Sequence, residues 1–359
     1  MSISDYPNNV NKRAGQIDPE ARWRYYKLQS LDMASRMMQH KALINRAVRM
    51  QWCGRPLAMS VCPICGRKHI KGEHMCHDRM CPLCQWQLSR VRYAQMLECL
   101  RILDDQLTAR NCKVGMLTLT LRNVPISKLR DTLKLMSDAW NNMSRRQFWQ
   151  RVVVGSARHV EITYNARANT YHPHLHILVI TTDNSINTTG NAINSTDYTL
   201  ELHKIARAAW RHALKINYDP ITDYRDAYVK DADKAAEVAS ITERPVIDWQ
   251  SNKQAANAAA ARECAKYVLG QKAMASIPDK DLARFAAAIS GLRMVSYTGL
   301  LKLARQALAY KDEQIVDSEP SEASRQCCGV ELEHYVLEWS GTGYVKIPLD
   351  GKESLEVHE

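Results

Sequence analysis

Period-two alternation of apolar and polar positions is clearest in the middle of the chain. Val114–Arg122 (VGMLTLTLR) alternates and predicts a strand, as do Arg158–Tyr164 and His174–Ile180. Tyr224–Val229 is a further, shorter strand candidate. Helical spacing runs through Ala21–Met50, Trp86–Leu103, Ile126–Trp149 and Leu200–Lys215. The Ala-rich stretches Gln254–Met274 and Asp279–Ile289 add high helix propensity. Tyr335–Trp339 and Tyr344–Ile347, joined by Ser-Gly-Thr-Gly, predict a hairpin. Cys53–Gln85 has neither period and is crowded with Cys, His, Gly and Pro, as expected of a small module held by metal. Asp183–Asp197 is rich in Asn and Thr and reads as a surface loop.

Charge changes this picture. The 359 residues carry a net +11, but Lys311–Glu359 holds twelve acidic and four basic residues, a net −8. The first 310 residues therefore carry +19, a surplus that points to a polyanion such as nucleic acid. The organisation expected is a basic helical segment (1–52), a cysteine module (53–103), a central domain (112–310) and a separate acidic tail with a hairpin (311–359). No apolar run resembles a signal peptide or a membrane span, so a cytoplasmic protein is expected.

Eleven cysteines in such a chain suggest metal ligands before disulfides. Cys62-Pro-Ile-Cys65 and Cys81-Pro-Leu-Cys84 are paired C-x-x-C knuckles, and four thiolates at that spacing can close a tetrahedron around zinc. Cys53, His74, Cys76 and His77 are spare candidates, and Cys76 could substitute for a knuckle cysteine. Cys99, Cys112, Cys264, Cys327 and Cys328 lack such spacing and read as structural. Arg79, Arg90 and Arg92 flank the knuckles and are candidate phosphate contacts.

The stretch Tyr171–Ile180 (YHPHLHILVI) carries the most chemistry. In an extended strand His174 and His176 share one face, while Leu175, Ile177 and Val179 take the other. Two imidazoles side by side on a rigid strand form a bidentate metal claw; two structural histidines would share the pattern. If the preceding strand folds back as a hairpin centred between Ala168 and Asn169, Glu161 lies opposite His176 and Thr163 opposite His174. Two imidazoles and a carboxylate suit Mg²⁺ or Mn²⁺ and leave positions for a phosphate oxygen. Further on, Glu263 and Tyr267 stand four apart, with Lys266 beside the tyrosine, a spacing that also arises by chance.

Taken in order, these pieces resemble the rolling-circle plasmid replication initiator (Rep) family of the HUH endonuclease class. The likeness is carried by Cys76–Cys84 (CHDRMCPLC), Met116–Thr120 (MLTLT), Glu161–Asn165 (EITYN) with Tyr171–His176 (YHPHLH), Glu263–Tyr267 (ECAKY) and Arg293–Lys302 (RMVSYTGLLK). It implies an α+β fold, a central antiparallel HUH-endonuclease sheet of about five strands with helices on one side, to which the cysteine spacing adds a small zinc-binding module. It implies His174 and His176 as metal ligands, Tyr267 as the nucleophile that forms a 5′-phosphotyrosine, and Glu263 as the acid that assists termination. It also implies plasmid origin DNA, single-stranded at the nick, as substrate, and a host polymerase and helicase as partners. The rivals are an HUH transposase or relaxase, and a zinc-dependent DNA-binding regulator without catalysis. No G-x-x-x-x-G-K-[ST] motif marks a fused helicase.

Overall fold

The computed structural model describes residues 19–72, 74–182, 195–226, 260–261, 271–316 and 326–347. In chain order the first elements are α1 (Pro19–Met38), α2 (Ile44–Trp52), β1 (Leu57–Val61), β2 (Lys68–Gly72) and α3 (Pro82–Ala109). Next come β3 (Cys112–Thr120), α4 (Ile126–Ser144), α5 (Gln147–Val152), β4 (Val153–Asn165) and β5 (Thr170–Thr182). They are followed by α6 (Ser195–Leu214), β6 (Thr222–Asp226), α7 (Gln271–Ser276), α8 (Leu282–Ile289), β7 (Val295–Thr298) and α9 (Gly299–Val316). The chain closes with β8 (Gln326–Cys327), β9 (Val330–Glu331), β10 (Glu333–Trp339) and β11 (Tyr344–Ile347). The chain divides into two compact units, residues 1–86 with 311–359, and residues 87–310. Among the described residues no helix is long and apolar enough to cross a membrane.

The larger unit is built on an antiparallel sheet of order β6-β3-β5-β4-β7. Its three central strands are buried on both faces, so each face needs a cover. Val114, Ala157, Leu178 and Ile180 meet Tyr93, Met96, Leu100, Leu103 and Leu107 of α3 and Leu301, Ala304 and Leu308 of α9. On the opposite face α4 lies against β5, and α6 and α8 pack beside α4. There Trp140, Trp149 and Trp210 are fully buried, and the Trp210 indole N–H donates to the Thr120 carbonyl at 3.0 Å. Helices thus cover both faces, not the one side that the family likeness implied.

The β4–β5 hairpin turns through residues 166–169, where Asn169 takes φ 48° and the Asn165 side-chain oxygen accepts from the Arg167 and Ala168 amides. This sets the register at Asn165 opposite Thr170 and Glu161 opposite His174. The expected pairing of Glu161 with His176 and Thr163 with His174 is therefore off by two residues. A slip of two keeps every side chain on its face, whereas a slip of one would have inverted them all.

The smaller unit holds a four-stranded antiparallel sheet of order β11-β10-β1-β2. Two of its strands come from the cysteine-rich stretch and two from the acidic C-terminal stretch. The tail is therefore not a separate piece: Leu57 pairs with Leu337 and Val61 with Glu333. The physical reason is the alternation of buried Tyr335, Leu337 and Trp339, which gives β10 an apolar face that must be covered; the acidic count hides it. The single helix expected over Ala21–Met50 is broken at Gln39–Leu43, with His40 extended. The break lets two apolar stripes, Met33–Ala34–Met37 and Leu43–Ala47–Met50, pack together as α1 and α2. Gln254–Met274 falls mostly outside the described residues; Ala260 and Ala261 are helical, and α7 begins at Gln271.

Candidate functional site

Three side chains converge on the face of β4 and β5 that α3 and α9 cover further along. The Nε2 atoms of His174 and His176 lie 3.1 and 2.8 Å from the same carboxylate oxygen, Oε2 of Glu161. These three donor atoms all lie within 4.8 Å of one another. The strands place them there without special backbone: His174 and His176 are two apart on β5, and Glu161 faces them from β4. Each imidazole has its outer nitrogen engaged. Nδ1–H of His174 donates to the His172 carbonyl at 3.3 Å, and Nδ1 of His176 contacts Thr118 Oγ1 on β3 at 3.3 Å. Such outer bonds fix the ring tilt and turn the inner nitrogens toward a common point. Burial works against ionisation of Glu161, but the hydrogen bonds from His174 and His176 outweigh it and hold the carboxyl well below the usual range. A carboxylate and two oriented imidazoles therefore make an intact donor set for a divalent metal.

The cysteines fall into two sets, which corrects the grouping expected from sequence. Sγ atoms of Cys53, Cys76, Cys81 and Cys84 gather within 4.8 Å of one another, and those of Cys62, Cys65 and Cys328 form a second group by the same measure. Cys81 and Cys84 thus join Cys53 and Cys76, while Cys62 and Cys65 stand apart from them. The reason is local geometry. Cys81–Cys84 is no free-standing knuckle: Pro82 starts α3, so Cys81 immediately precedes the helix and Cys84 lies on its first turn. Cys62–Cys65 is a turn at the end of β1. In the first set the contacts are close, Cys53 to Cys84 at 3.4 Å and Cys81 to Cys53 and Cys76 to Cys84 at 3.6 Å. Burial disfavours the Cys81 thiolate, but thiol hydrogen bonds from Cys53, Cys76 and Cys84 pull its pKa well below the ordinary value. Fully buried Lys27 donates to the Gln51 and Cys53 carbonyls at 2.6 and 2.7 Å. Burial lowers its pKa to about 8, against the pull of the nearby cysteines. A buried cation beside these cysteines would offset the excess negative charge if the four sulfurs held one divalent ion as thiolates.

The family model described as "Replication protein" matches residues 67–345, most of the chain. The chain belongs to the Rep family of plasmid replication initiators. Among its relatives, a "Protein rep" of Bacillus sp is 25% identical over 317 residues, covering 84% of this chain and 92% of that protein. A "Protein rep" of Bacillus amyloliquefaciens is 26% identical and covers 75% of each chain, and one of Lentilactobacillus hilgardii is 27% identical over 82% of this chain and 84% of its own. No solved structure matches.

Within this Rep-family chain the other expected site residues are placed as follows. Tyr267, Glu263 and Lys266 lie outside the described residues. Just before them, Ala260 and Ala261 are buried in the core cluster that includes Ala157 and Leu178 of the claw-bearing strands, and their faces are the claw's own. Arg79, Arg90 and Arg92 are each half-buried, Arg79 before α3 and the other two on it. A stronger cationic feature was not expected from sequence. A groove between α4 and α6 is lined by Arg146, Lys204, Arg207, Arg211, His212 and Lys215, with Asp219 the acid among its lining residues. Its signal was present as basic residues at helical spacing in Leu200–Lys215, but only the packing of α6 beside α4 brings Arg146 to it. Thr118 was also missed as a claw partner, and Cys328 as a member of a thiol group.

Proposed function

We propose that this protein starts rolling-circle replication of a plasmid by nicking, and later rejoining, one strand of the origin. The observation that carries the reading is the convergence of Glu161, His174 and His176 in a Rep-family chain. The donor set fits Mg²⁺ or Mn²⁺: one carboxylate and two imidazoles whose outer nitrogens are already engaged. When bound there, such a metal supplies Lewis acidity toward a scissile phosphate. The chain's own residues do the rest.

Tyr267 is the proposed nucleophile. Its phenol oxygen forms a bond to phosphorus as the bond to the 3′ oxygen breaks, leaving a 5′-phosphotyrosine and a 3′-OH. The phenol proton goes to solvent, and the departing 3′ oxygen takes one up. Lys266, its neighbour in sequence, supplies a cation that favours the phenolate. The ester keeps the phosphodiester energy, so rejoining needs no nucleotide cofactor. Glu263 takes the proton from the incoming water or hydroxyl at termination. The 3′-OH serves a host polymerase, with a host helicase opening the duplex. Zinc on Cys53, Cys76, Cys81 and Cys84 is structural in this reading, and the cations of the α4–α6 groove with Arg79, Arg90 and Arg92 give affinity for DNA.

The test is cleavage of a labelled single-stranded origin with Mg²⁺ or Mn²⁺, beside a duplex-binding assay. His174→Ala and His176→Ala are expected to abolish nicking and leave duplex binding largely intact. Tyr267→Phe keeps the ring and removes the attacking oxygen, so it should bind DNA and form no adduct. Glu263→Ala should form the adduct and resolve it slowly. A nucleotide mapped by mass spectrometry to another residue overturns the Tyr267 assignment; no adduct from the intact protein favours a non-catalytic DNA-binding regulator.

A further inference from the structure

We propose a second zinc site, made by Cys62, Cys65 and Cys328, that fastens the C-terminal strands to the cysteine-rich stretch. The site is distinct from the buried group of Cys53, Cys76, Cys81 and Cys84. The family match begins at residue 67, after two of its three ligands.

The geometry comes from two tight turns that face each other. After β1, Cys62 opens a C-x-x-C-G turn in which the Gly66 amide donates to the Cys62 carbonyl at 2.9 Å and the Cys62 amide donates to the Arg67 carbonyl at 2.9 Å. Gly66 takes φ +67°, with no atom within 4 Å of where a Cβ would stand. This left-handed conformation, which glycine adopts at no steric cost, closes the turn tightly after the second cysteine. The partner turn is the two-residue connection between β8 and β9, where Cys328 has φ 55° and Gly329 φ 74°. Positive φ at both central residues is that of a tight two-residue hairpin turn, with Cys328 at its tip. Pairing of β1 with β10 brings the two turns together, because Val61, just before Cys62, pairs with Glu333, just after β9. The three Sγ atoms lie within 4.8 Å of one another. Tetrahedral Zn–S bonds of about 2.3 Å set sulfur–sulfur separations on the order of 4 Å, so ordinary thermal adjustment suffices.

Three thiolates form a soft donor set that favours zinc over Mg²⁺ or Mn²⁺. Each thiol gives up its proton to solvent on binding, and a fourth donor, water or one more thiolate, completes the tetrahedron. Cys62 is buried while Cys65 and Cys328 are exposed, so this zinc is open to chelators in a way the buried group is not. Its physical effect is to join residues far apart in sequence, which favours the paired state of β1 and β10 through loop closure.

Zinc is counted by elemental analysis on the full-length protein purified under reducing conditions, with circular dichroism as a fold check. Two zinc ions per chain are expected, falling to about one in Cys328→Ser, which changes one atom at an exposed hairpin tip. In a chelator assay, zinc should leave in two phases, and Cys328→Ser should lack the fast one. One zinc in the intact protein that Cys328→Ser also removes would still support this site and would count against the buried one. Undiminished zinc in Cys328→Ser overturns the proposal, as does a disulfide joining Cys328 to Cys62 or Cys65 in peptide mapping of cells lysed directly into a thiol-alkylating agent without reductant. Should Cys328→Ser misfold, Cys65→Ser at the other exposed position gives the same reading, and nicking activity is not needed for any of these outcomes.

Discussion

Each imidazole of the claw has one nitrogen committed to an outer partner and one aimed at Glu161. The Thr118 hydroxyl is the more dispensable of these partners, since the other is a backbone carbonyl. Removing an outer partner of a metal-bound imidazole lowers metal affinity about 10–100-fold, so Thr118→Val should weaken Mn²⁺ binding by that order with little change in fold. Titration of Mn²⁺ by calorimetry or paramagnetic relaxation would read this directly, and unchanged affinity would remove Thr118 from the site. The face shared by Glu161, His174 and His176 was legible in the sequence because side-chain alternation has period two. The partner opposite was not, because the turn chemistry of Asn165 and Asn169 sets the register.

At the level of elements, the join of β4 to α9 depends on two glycines. Gly299 has φ +53°, and a Cβ there would stand 2.0 Å from the Val154 carbonyl oxygen. At Gly155 a Cβ would meet Leu300 and Leu301 backbone at 3.2–3.3 Å. Gly299→Ala therefore combines a strained backbone with a clash and should cost about 3 kcal/mol, the upper end for a left-handed non-glycine residue. Gly291→Ala, at φ +71° with open space around it, carries only the backbone penalty of about 1 kcal/mol. Urea midpoints of the two variants would rank them, and equal midpoints would show that α9 does not bear on β4 as closely as described. The GLLK segment of the family motif signalled something at this place; that the glycine allows a helix to start against a strand required the structure.

For the molecule as a whole, the uneven charge leads to two expectations. The Lys204/Arg207 pair lies in the cationic groove, and reversing both to Glu should weaken duplex binding across sequences. It should also flatten the salt dependence by roughly one unit of slope for each phosphate that is no longer neutralised. Cutting of a short single-stranded origin should persist, because the groove lies with α4 and α6 on the face of the sheet opposite the claw. Binding isotherms at several salt concentrations would check this, and an unchanged slope would exclude the groove. Truncation distinguishes charge from structure in the tail. Ending the chain at Lys311 removes β10 and with it buried Tyr335, Leu337 and Trp339, so the smaller unit should lose its cooperative unfolding. Ending it after Ile347 removes a segment with four acidic residues and one basic, net −3, and should leave folding intact while raising DNA affinity at low salt. Differential scanning calorimetry of the two truncations compares them.

What the sequence determined by itself was local: the alternation that makes β3, β4 and β5, the helical stripes, the claw face and the C-x-x-C spacing. These follow from backbone periodicity and short loops, which act within a few residues. Only the tertiary structure decided which strands pair, that helices cover both faces, that the acidic tail completes a sheet with the cysteine-rich stretch, and that the cysteines divide as Cys53–Cys76–Cys81–Cys84 and Cys62–Cys65–Cys328. Some of those choices join residues very far apart in sequence, as in the pairing of Leu57 with Leu337. Many such pairings are compatible with the same spacing, and burial of apolar faces such as that of β10 selects among them.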